Sequence, residues 1–239
     1  MISHSNLDIQ KNMRQLFFDI KNVREDITDY VYHFTKGNNA FETLQMILED
    51  GYLRDMHKRE KEDYRICFTE APLKVQPEMF RILSKEDSPL YAPYGIGIKK
   101  ELLYFWGARP VIYGKNEEQI LLPDELEWRF VSYVPNKYDY SWLREWRLPQ
   151  KEFQVTPQNC IVIVKNKEEC EMLFEQSDFI MDGDVDDGEF HCLPLLESRR
   201  RFRGVSLEEV EELKGKREIE TMINKQHLEE KEYVSLGYL

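Results

Sequence analysis

The stretch YVYHFTKGNNAFETLQMILEDGYL, residues 30–53, carries the signals of a strand, a turn and a helix in succession. Residues 30–35 alternate aromatic or branched side chains with other residues, a pattern typical of a short β-strand. Asn39 is a residue type that caps helices and Gly51 is a type that ends them, so we predict a helix over about residues 40–50. The apolar residues of this helix fall on one face: Phe41, Leu44, Ile47 and Leu48. The stretch therefore predicts a strand followed by a short amphipathic helix.

Strand patterns continue through the middle of the chain, whereas helical patterns lie at its two ends. Further strand candidates occupy residues 64–73, 94–100, 108–114, 128–134 and 160–166. Residues 5–25 predict an amphipathic helix whose apolar face we expect in the core, and Ser206 with Glu209 predicts a capping box for a long final helix. This order favours an α+β fold with a central mixed or antiparallel β-sheet core and flanking N- and C-terminal helices. We divide the chain into a core domain, residues 1–195, which includes the N-terminal helix, and a C-terminal helical extension, residues 196–239.

Composition indicates a soluble protein with a substantial core. The chain has 239 residues, 41% of them hydrophobic, which suits one large domain with an appended helical element. Its first residues are charged and polar, unlike a secretory segment, and no apolar run is long enough to span a membrane. Four scattered cysteines and five dispersed histidines give no zinc-binding spacing, so we expect no metal site and a cytoplasmic location. The formal net charge of -12 disfavours nonspecific binding to phosphate backbones.

Two charged segments near the end of the chain have structural interpretations. Alternate aspartates in residues 181–190 are spaced as in a calcium-binding loop, but Asp187 stands where that loop needs glycine and Leu193 where it needs glutamate. We therefore predict a solvated turn there. The arginine-rich segment at residues 199–203 either binds phosphate or pairs with the carboxylates of the helix that follows.

The stretch SWLREWRLP, residues 141–149, places Glu145 among two arginines and two tryptophans. A desolvated carboxylate must be paired and hydrogen-bonded, so burying Glu145 there is costly. In the functional interpretation, Glu145 is a late-strand carboxylate presented into a cleft, with the tryptophans as packing support. In the structural interpretation, Arg144 and Arg147 neutralise Glu145 in an ion pair that lowers its pKa.

Three further polar residues lie within or beside strand candidates. His33 alone is compatible with a hydrogen-bonded strand histidine, and Thr35 alone with a strand-end or cap residue. Glu70, directly before Ala71 and Pro72, is more typical of a turn than of a catalytic carboxylate. None of these residues indicates a function by itself, but the order of the segments that contain them is more informative.

Taken in order, the segments YHFT, ILEDGYL, CFTEAPL, YGIGIKK and RPVIY resemble the AbiGi-type family of abortive phage-resistance proteins. CFTEAPL followed by YGIGIKK and RPVIY is the most specific element, and the resemblance covers approximately residues 30–165. It implies a role in bacterial phage defence. In one form of that role, a noncatalytic antitoxin or regulatory subunit binds a partner toxin through its last helix and acidic surface.

A second, weaker resemblance is to the DarT-type ADP-ribosyltransferases, which are DNA-modifying toxins. In that family a strand with a His-x-Thr motif precedes a helix that ends in an I-L-x-x-G-x-L-like segment. His33 and Thr35 match the motif, and residues 47–53 match the segment. The resemblance implies an ADP-ribosyltransferase-like fold that binds NAD as its substrate. It further implies that His33 and Thr35 hold the nicotinamide ribose and that Glu145 is the catalytic carboxylate.

The remaining residues of this predicted NAD site follow from the chemistry of the substrate. Cleavage of the nicotinamide–ribose bond develops positive charge on the sugar, which a carboxylate such as Glu145 stabilises. The forked guanidinium of Arg65 or Arg147 suits a diphosphate, and Tyr64 suits stacking on nicotinamide. The acceptor is expected to be a nucleic acid or a protein. A protein acceptor is less supported, because Leu143 stands where a Glu-x-Glu or Gln-x-Glu pair would need an acidic or amide residue.

The two functional hypotheses make different demands on the structure. An NAD-dependent enzyme requires His33, Thr35 and Glu145 to line one pocket, whereas a noncatalytic binder does not. A His33 imidazole and a Glu145 carboxylate on opposite sides of the sheet would therefore remove the enzymatic hypothesis and favour a scaffold. A metal-dependent nuclease is disfavoured because no separated pair of acidic strand ends is evident.

Overall fold

The computed structural model describes residues 4–57, 63–175, 181–186, 189–194 and 202–224. Within these residues the fold is mixed α+β, with a large and mostly antiparallel central sheet and flanking helices, which confirms the predicted fold class at that level. The strands are β1 Tyr30–Phe34, β2 Tyr52–Arg54, β3 Ile66–Thr69, β4 Gly95–Lys99, β5 Arg109–Pro110, β6 Ile112–Gly114, β7 Phe130–Ser132, β8 Glu145–Leu148, β9 Glu152–Gln154, β10 Cys160–Val164, β11 Met181–Asp186, β12 Glu189–Pro194 and β13 Arg203–Ser206. The α-helices are α1 His4–Val23, α2 Ala40–Asp50, α3 Gln76–Leu83, α4 Lys100–Phe105, α5 Asp124–Glu127, α6 Lys167–Glu175, α7 Leu207–Glu212 and α8, residues 216–224.

Seven of the described strands form the central sheet, in the order β13-β10-β4-β1-β3-β8-β5. Neighbouring strands are antiparallel, except that β10 and β13 are parallel. Three two-stranded sheets accompany the central one in the described part of the chain, formed by β2 with β9, β6 with β7, and β11 with β12. The histidine-bearing strand β1 therefore lies at the centre of the large sheet, between β4 and β3.

Each face of the central sheet packs against its own apolar core. Successive residues of a strand point to opposite faces, and cross-strand partners share a face. We call the two sides the α2 face and the α7 face, after helices that cover them. The core of the α2 face includes Val31, Leu44, Leu48, Phe68, Ile96, Trp146 and Leu148. The core of the α7 face includes Tyr30, Tyr32, Phe34, Ile161, Val205, Val210 and Ile223.

Glycines in β4 let the central strands approach each other closely. Gly95 pairs with Phe34, and Gly97 pairs with Tyr32. A Cβ atom added at Gly95 would lie 2.2 Å from the carbonyl oxygen of His33, and one added at Gly97 would lie 3.0 Å from the Tyr32 ring. The alternating glycines of YGIGIKK thus leave room on the α7 face for the aromatic side chains of β1.

The opening stretch of the sequence folds largely as predicted. Its strand and helix are β1 and α2, and Gly51 ends the helix with a left-handed φ of 68°. Ser206 and Glu209 form the predicted capping box, with the Glu209 N–H donating to Ser206 Oγ at 3.2 Å. One detail is wrong, because Asn39 occupies the N-cap position of α2 without a capping hydrogen bond from its side chain.

The C-terminal part of the chain departs from the prediction in three places. Residues 181–190 contain β11 and the beginning of β12, which pair antiparallel, instead of a solvated turn. Residues 203–206, expected within a helical extension, form β13 and pair with β10. The single final helix is interrupted at residues 213–215, where Gly215 weakens the helix and Glu25 accepts a hydrogen bond from the backbone N–H of Lys216 at 2.7 Å. The arginines at positions 199 to 201 lie outside the described residues.

The predicted burial of the apolar face of α1 is wrong. Its described apolar side chains are exposed: Met13, Leu16, Phe17, Ile20 and Val23. The helix meets the rest of the protein near its C-terminal end, where Lys21 pairs with Asp29 and Lys216 Nζ donates to the Lys21 carbonyl oxygen. A helical period identifies an apolar face, but it does not identify the surface that covers that face.

Candidate active site at a split in the sheet

The central sheet is split between β1 and β3. These strands pair at one position only, Tyr32 with Thr69, whereas β1 and β4 pair at five positions. Next to the single pair, the His33 side chain bonds to the neighbouring strand, with Nδ1 2.8 Å from the carbonyl oxygen of Cys67. A carbonyl oxygen can only accept, so Nδ1 donates and carries the ring proton. The strands β1 and β3 are therefore joined by one backbone pair and by the hydrogen bond of the His33 side chain.

A cavity of about 600 Å³ lies at this split. Its walls come from β1, α2, β2, β3 and the beginning of β8. Its lining includes four of the six predicted site residues, namely His33, Thr35, Arg65 and Glu145, but neither Tyr64 nor Arg147. The volume falls within the range of roughly 300–1,000 Å³ that is typical of small-molecule sites.

His33 and Glu145 reach the cavity from opposite faces of the sheet. Glu145 pairs with Thr69, which pairs with Tyr32, so the Glu145 side chain belongs to the α7 face. His33 follows Tyr32 and belongs to the α2 face. In a continuous sheet this alternation would separate the two side chains, which is the arrangement that favours a scaffold. Both nevertheless line one cavity here, because β1 and β3 separate after a single pair.

The His33 imidazole is held as a neutral ring. It lies edge-on to the Phe68 ring, with 5.9 Å between centroids. Burial lowers the pKa of His33 from its ordinary value, the hydrogen bond to Cys67 opposes this shift, and the charge of Lys36 adds to it. With the proton on Nδ1, Nε2 is the acceptor of the neutral ring, which suits a hydroxyl group of a ligand.

The lowered pKa of His33 predicts a specific dependence of stability on pH. Because the unfolded chain binds a proton at this histidine more readily than the folded chain does, the free energy of unfolding should fall as pH decreases from about 7 through the lowered pKa. Urea unfolding at several pH values measures this slope. We expect His33→Gln to remove part of it. Equal slopes for wild type and His33→Gln would show that His33 does not titrate in this way.

Thr35 is engaged by the backbone around the cavity. Its side chain is buried, and Oγ1 lies 2.8 Å from the carbonyl oxygen of Ala40 and 2.9 Å from that of Tyr94. A hydroxyl has one proton, so Thr35 donates to one of these oxygens at a time. The Thr35 N–H also donates to the Tyr94 carbonyl oxygen, at 2.8 Å. Thr35 therefore ties the end of β1 to the beginning of α2 and fixes the wall of the cavity.

Glu145 forms an ion pair with Arg147 on the same strand. Arg147 Nε donates to Glu145 Oε1 at 2.7 Å, and the two side chains are only 12% and 13% exposed. The Arg147 Nη1 atom also donates to the carbonyl oxygens of Trp128 and Phe130, at 2.8 and 2.9 Å. These contacts make Arg147 a residue that orients the carboxylate.

The other sequence neighbours of Glu145, namely Arg144, Trp142 and Trp146, form no hydrogen bond with its carboxylate in the described part of the chain. Arg144, which adopts a left-handed φ of 46°, pairs with Asp26 at 2.9 Å. Trp146 is buried, and its Nε1 atom donates to Glu70 Oε2 at 2.7 Å, whereas Trp142 is 41% exposed. Of the two arginines expected to neutralise Glu145, Arg147 does so and Arg144 pairs elsewhere. Of the two tryptophans expected to support it, Trp146 provides the buried packing.

Of the remaining predicted ligands, Arg65 lines the cavity and Tyr64 does not. Arg65 Nε donates to Asp63 Oδ1 at 2.9 Å, and the Arg65 N–H donates to Asp55 Oδ2 at 2.6 Å. The Lys151 ammonium nitrogen lies over the Tyr64 ring, 5.9 Å from the ring centroid. Arg65 thus lines the cavity while paired with Asp63, whereas Tyr64 faces a lysine of the loop before β9.

Charges along the cavity wall are balanced, although the whole chain is strongly acidic. Its formally charged groups, apart from histidine, are the cations Lys36, Arg54 and Arg65 and the carboxylates Asp50, Asp55 and Glu145. Arg54 Nη1 donates to Asp50 at 2.6 Å, which leaves both side chains paired. A balanced wall admits a polar ligand that carries both positive and negative groups.

Sequence reasoning missed two tyrosines that approach Glu145. Tyr91 lines the cavity, and burial together with the negative charge of Glu145 raises its pKa, so its hydroxyl remains protonated. The Tyr113 hydroxyl lies 3.4 Å from the Glu145 backbone nitrogen, and burial raises the pKa of that hydroxyl as well. Nothing in their spacing distinguishes these two from the rest of the thirteen tyrosines.

No protein-family model, curated protein or solved structure matches this chain. Among the described residues, no group of three or more histidine, cysteine, aspartate or glutamate side chains is arranged to hold a metal ion. None of the described helices combines the length and apolar character that crossing a bilayer requires. The cavity at the split and the motifs that line it are therefore the features from which a function is inferred.

Proposed function

We propose that this chain is an NAD-binding protein with an ADP-ribosyltransferase-like fold, which acts in bacterial phage defence and modifies a nucleic acid or a protein. The observation that carries the proposal is the single cavity lined by His33, from the YHFT motif, and by Glu145, from the EWR segment. The AbiGi-type and DarT-type resemblances of the sequence support it, and so does the central position of β1 in a mostly antiparallel sheet.

In the proposed reaction, the bond between nicotinamide and the ribose breaks and its electron pair leaves with nicotinamide. A nucleophilic oxygen or nitrogen of the acceptor then bonds to the sugar and loses a proton. Glu145 contributes a carboxylate oriented by Arg147 toward the positive charge that develops on the sugar. His33 accepts a hydrogen bond at Nε2 from a ribose hydroxyl, since Nδ1 is already donating to Cys67.

The other lining residues fit the remaining parts of the same substrate. Lys36 and Arg65 supply positive charge for a diphosphate, and Arg65 does so while its Nε and Nη2 atoms donate to Asp63. Tyr91, beside Glu145, supplies an aromatic face in place of Tyr64. Arg147 is assigned to positioning instead of diphosphate binding, because its donors hold Glu145 and two backbone carbonyl oxygens.

Calorimetric titration of the purified chain with NAD tests this proposal directly. We expect saturable binding that weakens at least tenfold in His33→Ala and in Arg65→Ala, because each variant removes a group that contacts the ligand. Incubation with labelled NAD, an oligonucleotide or an extract of infected cells then identifies the acceptor by label transfer. Absence of saturable NAD binding at millimolar concentrations would overturn the proposal.

A noncatalytic binder is the second candidate, and the exposed apolar face of α1 is the observation that favours it. Leu16, Phe17 and Ile20 are 49%, 59% and 43% exposed, as expected of a helix that binds a groove on another protein. An antitoxin of this kind would bind the product of a neighbouring toxin gene. We expect Leu16→Glu combined with Ile20→Glu to abolish copurification with that toxin on coexpression, and Glu145→Gln to preserve it. Unaltered copurification of the α1 variant would exclude this face as the binding surface.

A further inference from the structure

A second cavity, of about 470 Å³, lies where β1 begins and β4 ends. It is enclosed by the last turn of α1, the Asp29-Tyr30 segment, the Lys99-Lys100 junction between β4 and α4, and α8, which contributes Glu220 and Asn224. None of these residues lines the cavity at the split between β1 and β3. Trp146, which follows Glu145 on β8, forms part of its wall.

Two buried polar atoms in the wall of this cavity lack hydrogen-bond partners. They are Tyr30 Oη and Glu220 Oε1, and neither has a partner within the described part of the chain. Tyr30 is only 2% exposed. The ammonium of Lys216 is 3.8 Å from Glu220 Oε1, beyond hydrogen-bonding distance, and is itself bonded to the Lys21 carbonyl oxygen at 2.8 Å. A buried polar group without a partner costs free energy, so this pair of atoms calls for a ligand that donates hydrogen bonds.

The two atoms are electrostatically coupled to each other. Burial, followed by the negative charge of Glu220, raises the pKa of Tyr30 to about 12, against the opposing charge of Arg203. Burial also raises the pKa of Glu220 above its usual value, against the opposing charges of Lys216 and Lys21. A cation placed between the phenol and the carboxylate would offset both effects.

The lysines that line the cavity do not supply that cation. Lys21 is paired with Asp29, and Lys100 Nζ is paired with Glu70 Oε1 at 2.7 Å. Lys99 is an exposed residue. Two of the three lining lysines are therefore already matched by carboxylates, and Glu220 Oε1 has the Lys216 ammonium at 3.8 Å but no hydrogen-bonded cation within the described part of the chain.

We propose that this second cavity binds a small molecule that carries a primary ammonium group, which donates to Tyr30 Oη and Glu220 Oε1. A primary ammonium has three N–H donors, enough for both atoms and one further acceptor, and its single charge matches that of Glu220. A simple alkylamine and an α-amino acid share this group. They differ in whether a carboxylate is also present to approach Lys99. The site shares no residue with the first cavity, so its test does not require NAD binding.

Calorimetric titration of the full chain with ethylammonium, glycine and tetramethylammonium tests the proposed ammonium site. We expect saturable binding of ethylammonium, glycine or both, and none of tetramethylammonium, which has the same charge but no N–H donor. Tighter binding of glycine than of ethylammonium would identify the amino-acid source, and the reverse order would identify the alkylamine source. Comparable binding of tetramethylammonium, or no binding of either primary amine at millimolar concentrations, would overturn the proposal.

Two variants separate ligand binding from a structural role. Tyr30→Phe removes an unpartnered hydroxyl, so we expect its free energy of unfolding to be unchanged or slightly higher and its affinity for the amine to fall about tenfold. Glu220→Gln should lower the affinity at least as much, whereas Glu171→Gln, at an exposed position of α6, should not alter it. Wild-type affinity in both Tyr30→Phe and Glu220→Gln would overturn the proposal. So would a crystal structure in saturating ethylammonium in which only water bridges Tyr30 Oη and Glu220 Oε1.

Discussion

Replacement of Glu145 with glutamine is expected to slow nicotinamide release from NAD by about 10²- to 10³-fold, while NAD affinity changes only a few fold. Loss of one preorganised electrostatic contact to a transition state typically has an effect of this size. Glutamine keeps the shape of the side chain and an oxygen that can accept from Arg147, but it removes the negative charge. Single-turnover kinetics with labelled NAD measure the rate, and calorimetry measures the affinity separately.

The position of Glu145 allows a second variant to distinguish charge from geometry. Glu145→Asp retains the negative charge but withdraws it by one methylene group, and misplacement by about 1 Å can reduce a rate by about 10²-fold. We therefore expect both variants to be slow and Glu125→Gln, at an exposed position of α5, to match wild type. Nicotinamide release at the wild-type rate in Glu145→Gln would remove Glu145 from the mechanism, whatever the affinity of the variant.

The stability of Glu145→Gln must be measured alongside its activity because Arg147 is half of the same buried pair. The Arg147 guanidinium keeps its hydrogen bonds to the carbonyl oxygens of Trp128 and Phe130, so the fold should survive the loss of its carboxylate partner. A slow variant that unfolds at the wild-type urea midpoint and still binds NAD would locate the defect in the chemical step.

The fold was predictable where the sequence pattern and the local chemistry agree. The alternation in YVYHFT, the periodicity of α2 and the positive φ required at Gly51 all act within a few residues, and all appear as expected. Gly215 is a sequence signal for the interruption of the final helix. The Glu25 carboxylate, which accepts a hydrogen bond from the first residue of α8, comes from a distant part of the chain and gives no local signal. Burial of α1 was mispredicted for the same reason, because the pattern of a helix does not reveal its partner.

The candidate site was predictable in its motifs but not in its geometry. His33 and Glu145 could be chosen through the DarT-type resemblance, which matches His33 to a His-x-Thr strand and Glu145 to a late-strand glutamate. The two side chains lie on opposite faces because Tyr32 pairs with Thr69 and Thr69 pairs with Glu145. This register joins residues that are far apart in sequence, so it cannot be read from any one segment. The truncated ladder between β1 and β3, which lets both side chains line one cavity, leaves no local signal in either strand.

The second large effect is expected at Gly95, where an added methyl group should destabilise the fold by about 3 kcal/mol. The Cβ of an alanine would lie 2.2 Å from the carbonyl oxygen of His33 and 2.8 Å from Cδ1 of Phe34. This oxygen belongs to the backbone and cannot rotate away. The strands β1 and β4 must therefore separate at His33. Urea unfolding of Gly95→Ala measures the cost, and the NMR signals of the His33 ring report the displacement.

Gly97 provides the matched comparison because it lies on the same strand and the same face of the sheet. There an added Cβ would meet Cγ1 of Ile161 at 2.9 Å and the Tyr32 ring at 3.0 Å, which are side-chain atoms instead of backbone. We therefore expect Gly97→Ala to lower the free energy of unfolding by about 1 kcal/mol and to leave the His33 signals nearly in place. If Gly95→Ala proves no less stable than Gly97→Ala, then close backbone approach does not hold β1 against β4.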